Sequence, residues 1–530
     1  MTQQSADGEN LRTDDPEPPR PAHPRGEQLS QLASLLGVTE PLAADPVITG
    51  ITLDSRTARP GDLLAALPGA HTHGARFAAQ AAERGAVAAL TDTDGAAACR
   101  EAGLIVLEVR NPRADTARAA DAVYGSAWRR LKTIAVTGTN GKTSVTTMVR
   151  SALGHLGHAA GMIGTSGTFY RDGSGREHRV ATARTTPEAT DLHGIFARMV
   201  EDGVDVCAME VSSHALVLHR ADQAVFDIAC FTNLSQDHLD FHPTMEDYFQ
   251  AKARLFTPEH SRRGIVCVDD DWGRRLAAIA SVPVTTYATA PGVDADVTAT
   301  DVRPDGFGTC FTARSADRDL PLRAALPGRH YVANTLAAHL LLDAIGIRGS
   351  EVDEALGTAG TVPGRMELIA STPVRGVVDY SHTPAALEQA LATLRAVPGT
   401  ARVITVMGAG GDRDRTKRPL MGKVAADGSD IVIITDDNPR TEDPAAIRDQ
   451  VRSGIPAERP DVHVVEGRAA AIARAACLAA VGDTILVAGK GAETGQEIGG
   501  IVHPFDDRVQ LRDALRRGVE KPRTTIDGDH

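Results

Sequence analysis

One repeated pattern constrains the fold of this chain more than any other. A short apolar run ends in Gly, Asp, Glu or Asn, and a helical stretch often follows. Seven runs show this pattern: residues 134–136, 206–209, 226–231, 377–378, 403–407, 431–434 and 485–488. Such runs suit strands that are buried on both faces of a parallel sheet, so the sequence predicts an α/β fold. Ligands bind beyond the carboxyl ends of such strands, which makes the polar residues after each run the first candidates for chemistry.

The length of the chain, 530 residues, predicts about three domains of roughly 150 residues each. We place one boundary near Arg110, before the helical run that leads to a glycine-rich loop. A second boundary falls near Gly364, where a new series of strands starts. The predicted domains are therefore residues 28–110, 111–363 and 364–520.

The two ends of the chain are predicted to be tails. Residues 1–27 contain the proline-rich stretch 16–24, which cannot hold a helix or a sheet ladder. Residues 521–530 form a shorter predicted tail. The polar, acidic first residues lack the apolar core of a secretory signal, and no segment reaches the ~20 apolar residues that span a bilayer. We therefore expect a cytoplasmic protein with no membrane partner.

Composition excludes several classes of protein. The net charge of -13 argues against binding to nucleic acid, and only 4% of residues are aromatic. The six cysteines include no CxxC pair. They are predicted to be small buried thiols in a reducing compartment, not a zinc site or a disulfide framework.

A glycine-rich loop follows the first of the strands named above. Its residues are Gly138, Thr139, Asn140, Gly141, Lys142 and Thr143, and a helical pattern begins directly after them. Glycine amides can close on phosphate oxygens at a helix N-terminus, with Lys142 reaching the β- and γ-phosphates and the Thr143 hydroxyl holding Mg²⁺. Val136 stands where the strict P-loop pattern has its first glycine. The alternative is an ordinary glycine-rich turn with an exposed lysine.

Glu210 ends the second of these strands and is a candidate oxygen ligand for Mg²⁺, although a glutamate there is often only a solvated turn residue. His238 and His242 have the spacing of zinc ligands on one helix face. Pro243 argues against a continuous helix at that point, and the HExxH arrangement is absent. Zinc is therefore the weaker interpretation.

Lys252 lies on the same predicted helix face as Tyr248, Leu255 and Phe256. Two interpretations stay open. The side chain could extend along the apolar surface and keep its amine in water. Alternatively, a desolvated amine of depressed pKa could capture CO₂ and become a carbamate, which is a good Mg²⁺ ligand.

The residues around this lysine carry a resemblance to a known family. The glycine-rich loop together with Asn233…Asp237-His238-Leu239-Asp240…His242…Tyr248…Ala251-Lys252…Leu255-Phe256 resembles the Mur ligase family. The similarity extends from about Leu53 to Asp506. It implies three α/β domains: an N-terminal UDP-substrate domain, a central P-loop ATPase-like domain with a parallel sheet, and a C-terminal Rossmann-like domain that binds an amino acid.

The resemblance also implies an activity and its site residues. The activity is ATP-dependent addition of diaminopimelate to UDP-N-acetylmuramoyl-L-alanyl-D-glutamate, with ATP and Mg²⁺ as cofactors and N6-carboxylysine at Lys252. We expect a monomer. The implied catalytic residues are Lys142, Glu210, His238 and Lys252, and the implied metal ligands are Thr143, Glu210, His238 and carbamylated Lys252. The implied nucleotide contacts outside the loop are Asn334, Arg365 and Asp379. The implied contacts to the UDP-muramyl dipeptide are Leu53, Ser55, Thr185, Thr186, Ser212 and Arg220.

The last domain is expected to select the incoming amino acid. The implied residues are Arg413, Asp437, Asn438, Pro439, Arg440, Gly489 and Glu493. Diaminopimelate differs from lysine by a distal carboxylate, which a planar guanidinium can bind through two parallel hydrogen bonds. Arg440 would also repel the ammonium of lysine.

Four positions depart from the family pattern. His73 stands where the family usually has Asp, and Leu218 replaces a Gln that some members use on the substrate. Ser381 replaces Ala, and Ala492 replaces His in a Gly-Lys-Gly-His-Glu motif. Two alternatives follow: a ligase like folylpolyglutamate synthase, which lacks the signature 437–440, or a catalytically weak relative that binds muropeptides.

Overall fold

The computed structural model of the protein describes residues 20–69, 72–180, 182, 184–239, 241–358 and 362–519. They divide into two compact units. The first comprises the described residues up to Thr300 with Ala313–Leu320 and Ala333–Leu356, and the second comprises Asp301–Thr312, Pro321–Val332 and the described residues from Gly357 onward. The predicted tail segments 1–19 and 521–530 lie outside the described residues. The two predicted domain boundaries stay a prediction.

The first unit opens with short alternating strands and helices. They are β1 (Glu27–Gln28), α1 (Leu29–Leu36), β2 (Val47–Ile48), β3 (Gly50–Thr52), β4 (Asp62–Ala65), α2 (Ala78–Glu83), β5 (Ala88–Thr91), α3 (Thr93–Glu101), β6 (Ile105–Glu108) and α4 (Pro112–Val123). Strands β3, β4, β5 and β6 form a parallel sheet in that order. Asn111 caps α4, with Pro112 in its first turn, at the predicted boundary near Arg110.

Several residues of the predicted N-terminal tail make specific contacts with the rest of the chain. Arg20 Nη1 donates to both carboxylate oxygens of Asp62, at 2.7 and 2.8 Å. The Arg20 side chain is 8% exposed and that of Asp62 is 1% exposed. The amides of Ala22 and His23 donate to the Glu201 carboxylate. Residues 20–27, predicted as tail, are therefore held by charged partners far along the chain, which a proline-rich composition does not reveal.

A larger sheet follows in the first unit. Its elements are β7 (Lys132–Thr137), α5 (Lys142–His155), β8 (Ala160–Gly164), β9 (Gly167–Arg171), β10 (Glu177–Val180), α6 (Ala189–Glu201), β11 (Val206–Glu210), α7 (Ser213–Val217), β12 (Ile228–Phe231), α8 (Met245–Ala253), β13 (Gly264–Cys267), α9 (Asp271–Ile279) and β14 (Val284–Ala288). The strand order is β10-β9-β8-β11-β7-β12-β13-β14. Strands β8, β11, β7, β12, β13 and β14 are parallel, and β9 and β10 are antiparallel additions at one edge.

The order of these strands creates a switch point at β7. From β7 the chain runs to β8 and β11 on one side and then crosses to β12 on the other. The carboxyl ends of β11, β7 and β12 therefore meet at one edge, where ligands bind in open α/β sheets. Strand β12 begins two residues later than predicted, because the Asp227 carboxylate accepts from the Thr133 amide at 2.8 Å in place of a ladder bond.

The remaining elements begin with three strands that extend the large sheet beyond β14 in chain order. They are β15 (Val297–Asp305), β16 (Gly308–Ser315), β17 (Asp319–Ala324), α10 (Arg329–Ala344), α11 (Ser350–Thr358), β18 (Glu367–Ala370), β19 (Arg375–Asp379), α12 (Pro384–Arg395), β20 (Val403–Met407), α13 (Lys417–Gly428), β21 (Ile431–Ile434), α14 (Pro444–Arg452), β22 (Val462–Val464), α15 (Arg468–Leu478), β23 (Thr484–Ala488), β24 (Gly495–Ile498), β25 (Ile501–Pro504) and α16 (Asp507–Val519). In the second unit the order is β18-β19-β23-β20-β21-β22, with only β18 antiparallel. Strands β24 and β25 form a separate hairpin.

The predicted α/β class is confirmed, and β20 and β21 coincide with their predicted runs. All six cysteines are free. Four are buried, Cys310 is half-buried and Cys477 is exposed. In the part of the chain that the structure describes, no helix is both long and apolar enough to cross a membrane.

A buried ion pair, Arg468 with Asp507, lies at the end of β23 in the second unit. Arg468 and Asp507 open α15 and α16, and both side chains are 0% exposed. Arg468 Nε and Nη2 donate to the two Asp507 carboxylate oxygens at 2.7 Å each, and Nη2 also donates to the Ala488 carbonyl at 2.9 Å. The pair thus joins two helix starts to the last residue of β23.

Replacing one partner of this pair should destabilise the protein strongly. Arg468→Met leaves the Asp507 carboxylate buried without its counter-ion, so we expect a loss of about 3–5 kcal/mol in the free energy of unfolding. Urea unfolding measures this loss. The matched control is Arg474→Met on the exposed face of the same helix. Equal unfolding midpoints for the two variants would contradict the role of the pair.

Candidate active site

The glycine-rich loop lies at the switch point of the large sheet. It joins β7 to α5, which begins at Lys142. Gly138 and Gly141 have φ values of +145° and +89°. A Cβ on Gly138 would lie 2.0 Å from Thr232 Oγ1, and one on Gly141 would lie 2.6 Å from Asn334 Oδ1. Only glycine fits at these two points, and the close approach places Asn334 beside the loop, as predicted for a nucleotide contact.

The end of β12 braces this loop. The Thr232 hydroxyl donates to the Asn140 carbonyl at 2.6 Å. Asn233 accepts from the Thr139 amide through its carbonyl and from the Asn140 amide through its side chain, at 2.9 and 3.0 Å. Sequence reasoning gave Thr232 and Asn233 no role, although both directly follow a buried strand, which was the available signal.

Glu210 ends β11 next to the loop. Its side chain is fully buried, and Oε1 accepts from the Thr143 hydroxyl and from the Thr165 amide at 2.9 Å each. The structure thus brings together two predicted metal ligands, Thr143 and Glu210. A carboxylate and a hydroxyl are hard oxygen donors of the kind that Mg²⁺ takes in proteins, so these two residues fit the expected ion.

Two lysines converge on one carbonyl of the loop. Lys252 Nζ and Lys142 Nζ each donate to the Gly138 carbonyl at 2.9 Å, and Lys142 also donates to the Thr139 carbonyl. Lys252 is 1% exposed, and its Nζ lies 4.6 Å from the centre of the Tyr248 ring. Burial, followed by the positive charge of Lys142, lowers the pKa of Lys252 well below its ordinary value. Lys252 therefore does not extend its amine into water.

His238 occupies a different environment from these residues. It has a φ of +54°, and its side chain is 41% exposed and makes edge contacts with the rings of His214 and Tyr248. Within the described ranges, no three or more His, Cys, Asp or Glu side chains are grouped to hold a metal. The structure does not assemble His238 and Glu210 into such a group, because the turn at His238 directs its ring toward other aromatic rings.

The zinc alternative gains no support from the second histidine. His242 is buried, and its Nε2 lies 2.8 Å from the Ser213 hydroxyl oxygen. Helix α8 begins only at Met245, with Thr244 as its cap. His238 and His242 therefore do not share a helix face, as Pro243 had indicated.

The predicted dipeptide contacts fall into two groups within the first unit. Thr186 donates to the Glu210 carbonyl at 2.9 Å and accepts from the Ser212 amide at 3.1 Å, which places both residues beside Glu210. Thr185 and Thr165 pair their hydroxyls at 3.0 Å. Leu53 and Ser55 follow β3 in the four-stranded sheet, where the Ser55 hydroxyl donates to Gln80.

Glu188 is a charged centre that sequence reasoning missed. Its carboxylate lies 2.9 Å from Arg220, 3.3 Å from Arg184 and 3.7 Å from Arg113. Three guanidinium groups thus surround one carboxylate beside the predicted dipeptide contacts. This excess of positive charge suits an anionic substrate. No local pattern signals the cluster, since Arg113 is far from Glu188 in the sequence.

The two nucleotide contacts predicted for the second unit lie close together. Asp379 ends β19, and its Oδ1 accepts from the Met366 amide at 2.7 Å. The neighbouring guanidinium of Arg365 lies over the Tyr380 ring, 4.4 Å from its centre. Ser381, one of the four departures, donates its hydroxyl to the Asp379 carboxylate and so adds a bond to a predicted nucleotide residue.

The predicted amino-acid residues gather at the carboxyl ends of β20, β21 and β23. Arg440 Nη1 donates to the Gly411 carbonyl at 2.6 Å. A Cβ on Gly410 would lie 3.1 Å from Arg440 Nη1 and 3.7 Å from Arg413 Cγ, so both arginines flank this glycine. The side chains of Arg413 and Arg440, both predicted pocket residues, therefore lie close to the same glycine.

The acidic members of this set, Asp437 and Glu493, each lie against another predicted pocket residue. Asn438 Nδ2 donates to Glu493 Oε2 at 2.9 Å. Gly489 has a φ of +122°, and a Cβ there would lie 2.4 Å from Asp437 Oδ2. The Pro439 carbonyl lies against Gly411, where any side chain would collide with it.

Comparison with known proteins agrees with this arrangement. Three family profiles match: "Mur ligase family, catalytic domain" over residues 47–130, "Mur ligase middle domain" over 136–342 and "Mur ligase, glutamate ligase domain" over 364–491. A Streptomyces avermitilis protein named UDP-N-acetylmuramoyl-L-alanyl-D-glutamate–2,6-diaminopimelate ligase is 47% identical, covering 95% of this chain and 99% of its own. The Streptomyces coelicolor protein of that name is 48% identical over the same shares.

The chain belongs to the Mur ligase family. A solved structure titled as the same diaminopimelate ligase matches with a TM-score of 0.69 at 30% identity, covering 94% of this chain and 100% of that one. The three-domain α/β architecture expected for a Mur ligase is thereby confirmed. Folylpolyglutamate synthase from Mycobacterium tuberculosis, at 20% identity and a TM-score of 0.54 over 70% of this chain and 91% of its own, shares the fold alone.

One departure from the Mur ligase pattern has a clear structural account. His73 Nδ1 accepts from the Ala75 amide at 3.0 Å and so caps the 3₁₀ turn Gly74–Phe77, as an aspartate could. Its Nε2 lies 2.9 Å from Asp92. Nothing in the structure explains Leu218, which ends α7, or Ala492.

The charged cluster around Glu188 makes stability depend on pH. Burial, followed by the negative charge of Glu188, raises the pKa of the half-buried Asp191 from its ordinary 3.8 to about 6. The folded state therefore binds this proton more tightly than the unfolded state. The resulting stabilisation is complete below the unfolded pKa and is lost as the pH rises through about 6.

Asp191→Asn should therefore stabilise the protein more at high pH than at low pH. Relative to the wild type, we expect a gain of about 1–2 kcal/mol in unfolding free energy between about pH 5 and about pH 8, reduced from the full shift because the carboxyl is partly solvated. Urea unfolding across this range measures the gain. The exposed Asp205→Asn serves as the control. A pH-independent difference would refute the raised pKa.

Proposed function

We propose that this protein is an ATP-dependent ligase that joins diaminopimelate to the D-glutamate of UDP-N-acetylmuramoyl-L-alanyl-D-glutamate during synthesis of a peptidoglycan precursor in the cytoplasm. The observation that carries the proposal is the 47% identity over 95% of the chain to a relative of that name. The clustering of Arg413 and Arg440 beside Asp437 and Glu493 supports it, since a diamino dicarboxylic acid offers two groups of each charge.

The reaction proceeds in two steps. A carboxylate oxygen of D-glutamate attacks the γ-phosphorus of ATP, the bond to the β-phosphate oxygen breaks, and an acyl phosphate and ADP form. A neutral amino group of diaminopimelate then attacks the acyl carbon. Phosphate leaves with the bonding electron pair, and the nitrogen loses one proton to give the amide. Positioning of the reactants and stabilisation of charge account for most of the catalysis in such a transfer.

The loop residues serve the first step. Amides of Gly138–Thr143 and the N-terminus of α5 bind the phosphates, and Lys142 moves from its loop carbonyls to the transferred phosphoryl group. Thr143 and Glu210 would hold Mg²⁺, which neutralises charge on the phosphoryl group when bound. Thr186 donates to the Glu210 carbonyl and accepts from the Ser212 amide, and these two residues would orient the carboxyl end of the dipeptide.

Lys252 is proposed to act as its carbamate. A buried amine of lowered pKa is neutral in a larger fraction of molecules, and only the neutral amine reacts with CO₂. The product replaces a cation beside Lys142 with an anion, which removes the repulsion between the two. Its oxygens would lie at the same loop and could extend the set of metal-binding oxygens.

The function is tested by an acceptor panel. Purified protein with ATP, Mg²⁺ and the UDP-muramyl dipeptide should release phosphate when diaminopimelate is added, and roughly 100-fold more slowly with lysine, because Arg440 repels a terminal ammonium. Folate with glutamate should give no turnover. Equal rates with both amino acids, or turnover only with folate, would contradict the proposal. Binding of the dipeptide without any phosphate release would favour the muropeptide-binding alternative.

The carbamate is tested by removing its lysine. Lys252→Ala should lose at least roughly 100-fold in kcat, since an anionic oxygen ligand beside the transferred phosphoryl group disappears. Acetate or another short-chain acid should restore part of the activity. The control is Lys423→Ala, an exposed lysine of α13 that pairs with Asp427. Full activity of the Lys252 variant without any additive would end the carbamate hypothesis.

A further inference from the structure

Lys490 is a fully buried lysine that the proposed reaction has not used. It follows β23 between Gly489 and Gly491, and its side chain is 0% exposed. Its ammonium donates to Asn438 Oδ1 and to Glu493 Oε2, at 2.9 Å each. Both acceptors are predicted residues of the amino-acid pocket. A lysine buried this completely is rare in proteins unless it is paired.

The first effect of Lys490 is on the amide of Asn438. Oδ1 accepts from Lys490 and from the Glu497 amide at 3.0 Å, while Nδ2 donates to Glu493. An ammonium can only donate, so it requires the oxygen of the amide to face it. Lys490 therefore fixes which end of the Asn438 amide points toward Glu493.

The second effect is on the Glu493 carboxylate. Its Oε2 accepts from both Lys490 and Asn438 Nδ2, and these bonds fix the rotation of the carboxyl group. Asp437 and Glu493 both lie close to Tyr380. Burial raises the pKa of the Tyr380 phenol, and the negative charges of Glu493 and Asp437 raise it further. Two carboxylates thus lie in one region of the pocket: Lys490 donates to that of Glu493, and the positive charge of Arg468 interacts with both.

We infer that Lys490 is a positioning residue of the amino-acid pocket, which holds Asn438 and Glu493 so that the carboxylates of Asp437 and Glu493 receive a cationic amino group of the incoming diamino acid. The inference rests on the proposed function. If Lys490 only satisfied two buried acceptors, its replacement would change the KM values of all substrates equally.

Steady-state kinetics of Lys490→Met and Lys490→Arg separate these roles. Methionine removes the charge at similar length, and arginine keeps the charge but cannot occupy the same point. Loss of a charge-assisted hydrogen bond predicts a roughly 10- to 100-fold rise in KM for diaminopimelate in both variants. The KM values for ATP and for the UDP-muramyl dipeptide should stay within about 2-fold of wild type. Lys423→Met, an exposed lysine of the same unit, is the matched control.

The outcomes distinguish the possibilities. An unchanged KM for diaminopimelate, or equal rises in all three KM values, would overturn the inference. If Lys490→Met fails to fold in a thermal unfolding assay, Lys490→Arg decides by the same criteria, and failure of both to fold establishes a structural role instead. A wild-type protein that shows no diaminopimelate-dependent turnover would refute the proposed function itself.

Discussion

The candidate active site depends on the convergence of three parallel strand ends. Strand β7 lies between β11 and β12, so the loop that follows it is enclosed by Glu210 on one side and by Thr232 and Asn233 on the other. One edge of the sheet thereby brings together backbone amides at a helix N-terminus, a buried carboxylate and a buried amine. A phosphate and a divalent cation are the ligands that this combination of charges favours.

Charged side chains have a second role in this protein, which is to hold neighbouring polar groups in place. Glu188 orders three arginines beside the predicted dipeptide contacts, and Lys490 orders two acceptors in the amino-acid pocket. In each case one charged side chain holds several polar groups that include predicted substrate contacts. Arg468 and Asp507 do the same for the backbone at the end of β23.

Local sequence patterns predicted the features that depend on near neighbours. The runs of β20 and β21 were bounded correctly, because every residue of both strands is buried and all but Thr405 are apolar. The spacing of Tyr248, Lys252 and Phe256 predicted one shared face, and all three side chains are buried, although a 3₁₀ turn begins at Arg254. The glycine-rich loop was recognised although Val136 replaces the first glycine of the strict P-loop pattern, because the order of strand, turn and helix is still present.

Features that depend on distant partners could not be predicted from these patterns. Arg20 lies in a proline-rich stretch, and contacts with the distant residues Asp62 and Glu201 show that the stretch is held. The spacing of His238 suggested a ligand, but a left-handed turn decides where its ring points. Lys490 was visible only as a lysine between two glycines. Its role depends on Asn438, which a separate strand brings to it.

The most direct test of the convergence is a crystal structure with Mg²⁺ and a non-hydrolysable ATP analogue. We expect the β- and γ-phosphates to bind the amides of Gly138–Thr143, and the cation to lie about 2.1 Å from oxygens of Thr143 and Glu210. A nucleotide bound away from this loop, or a cation that contacts neither residue, would contradict the account.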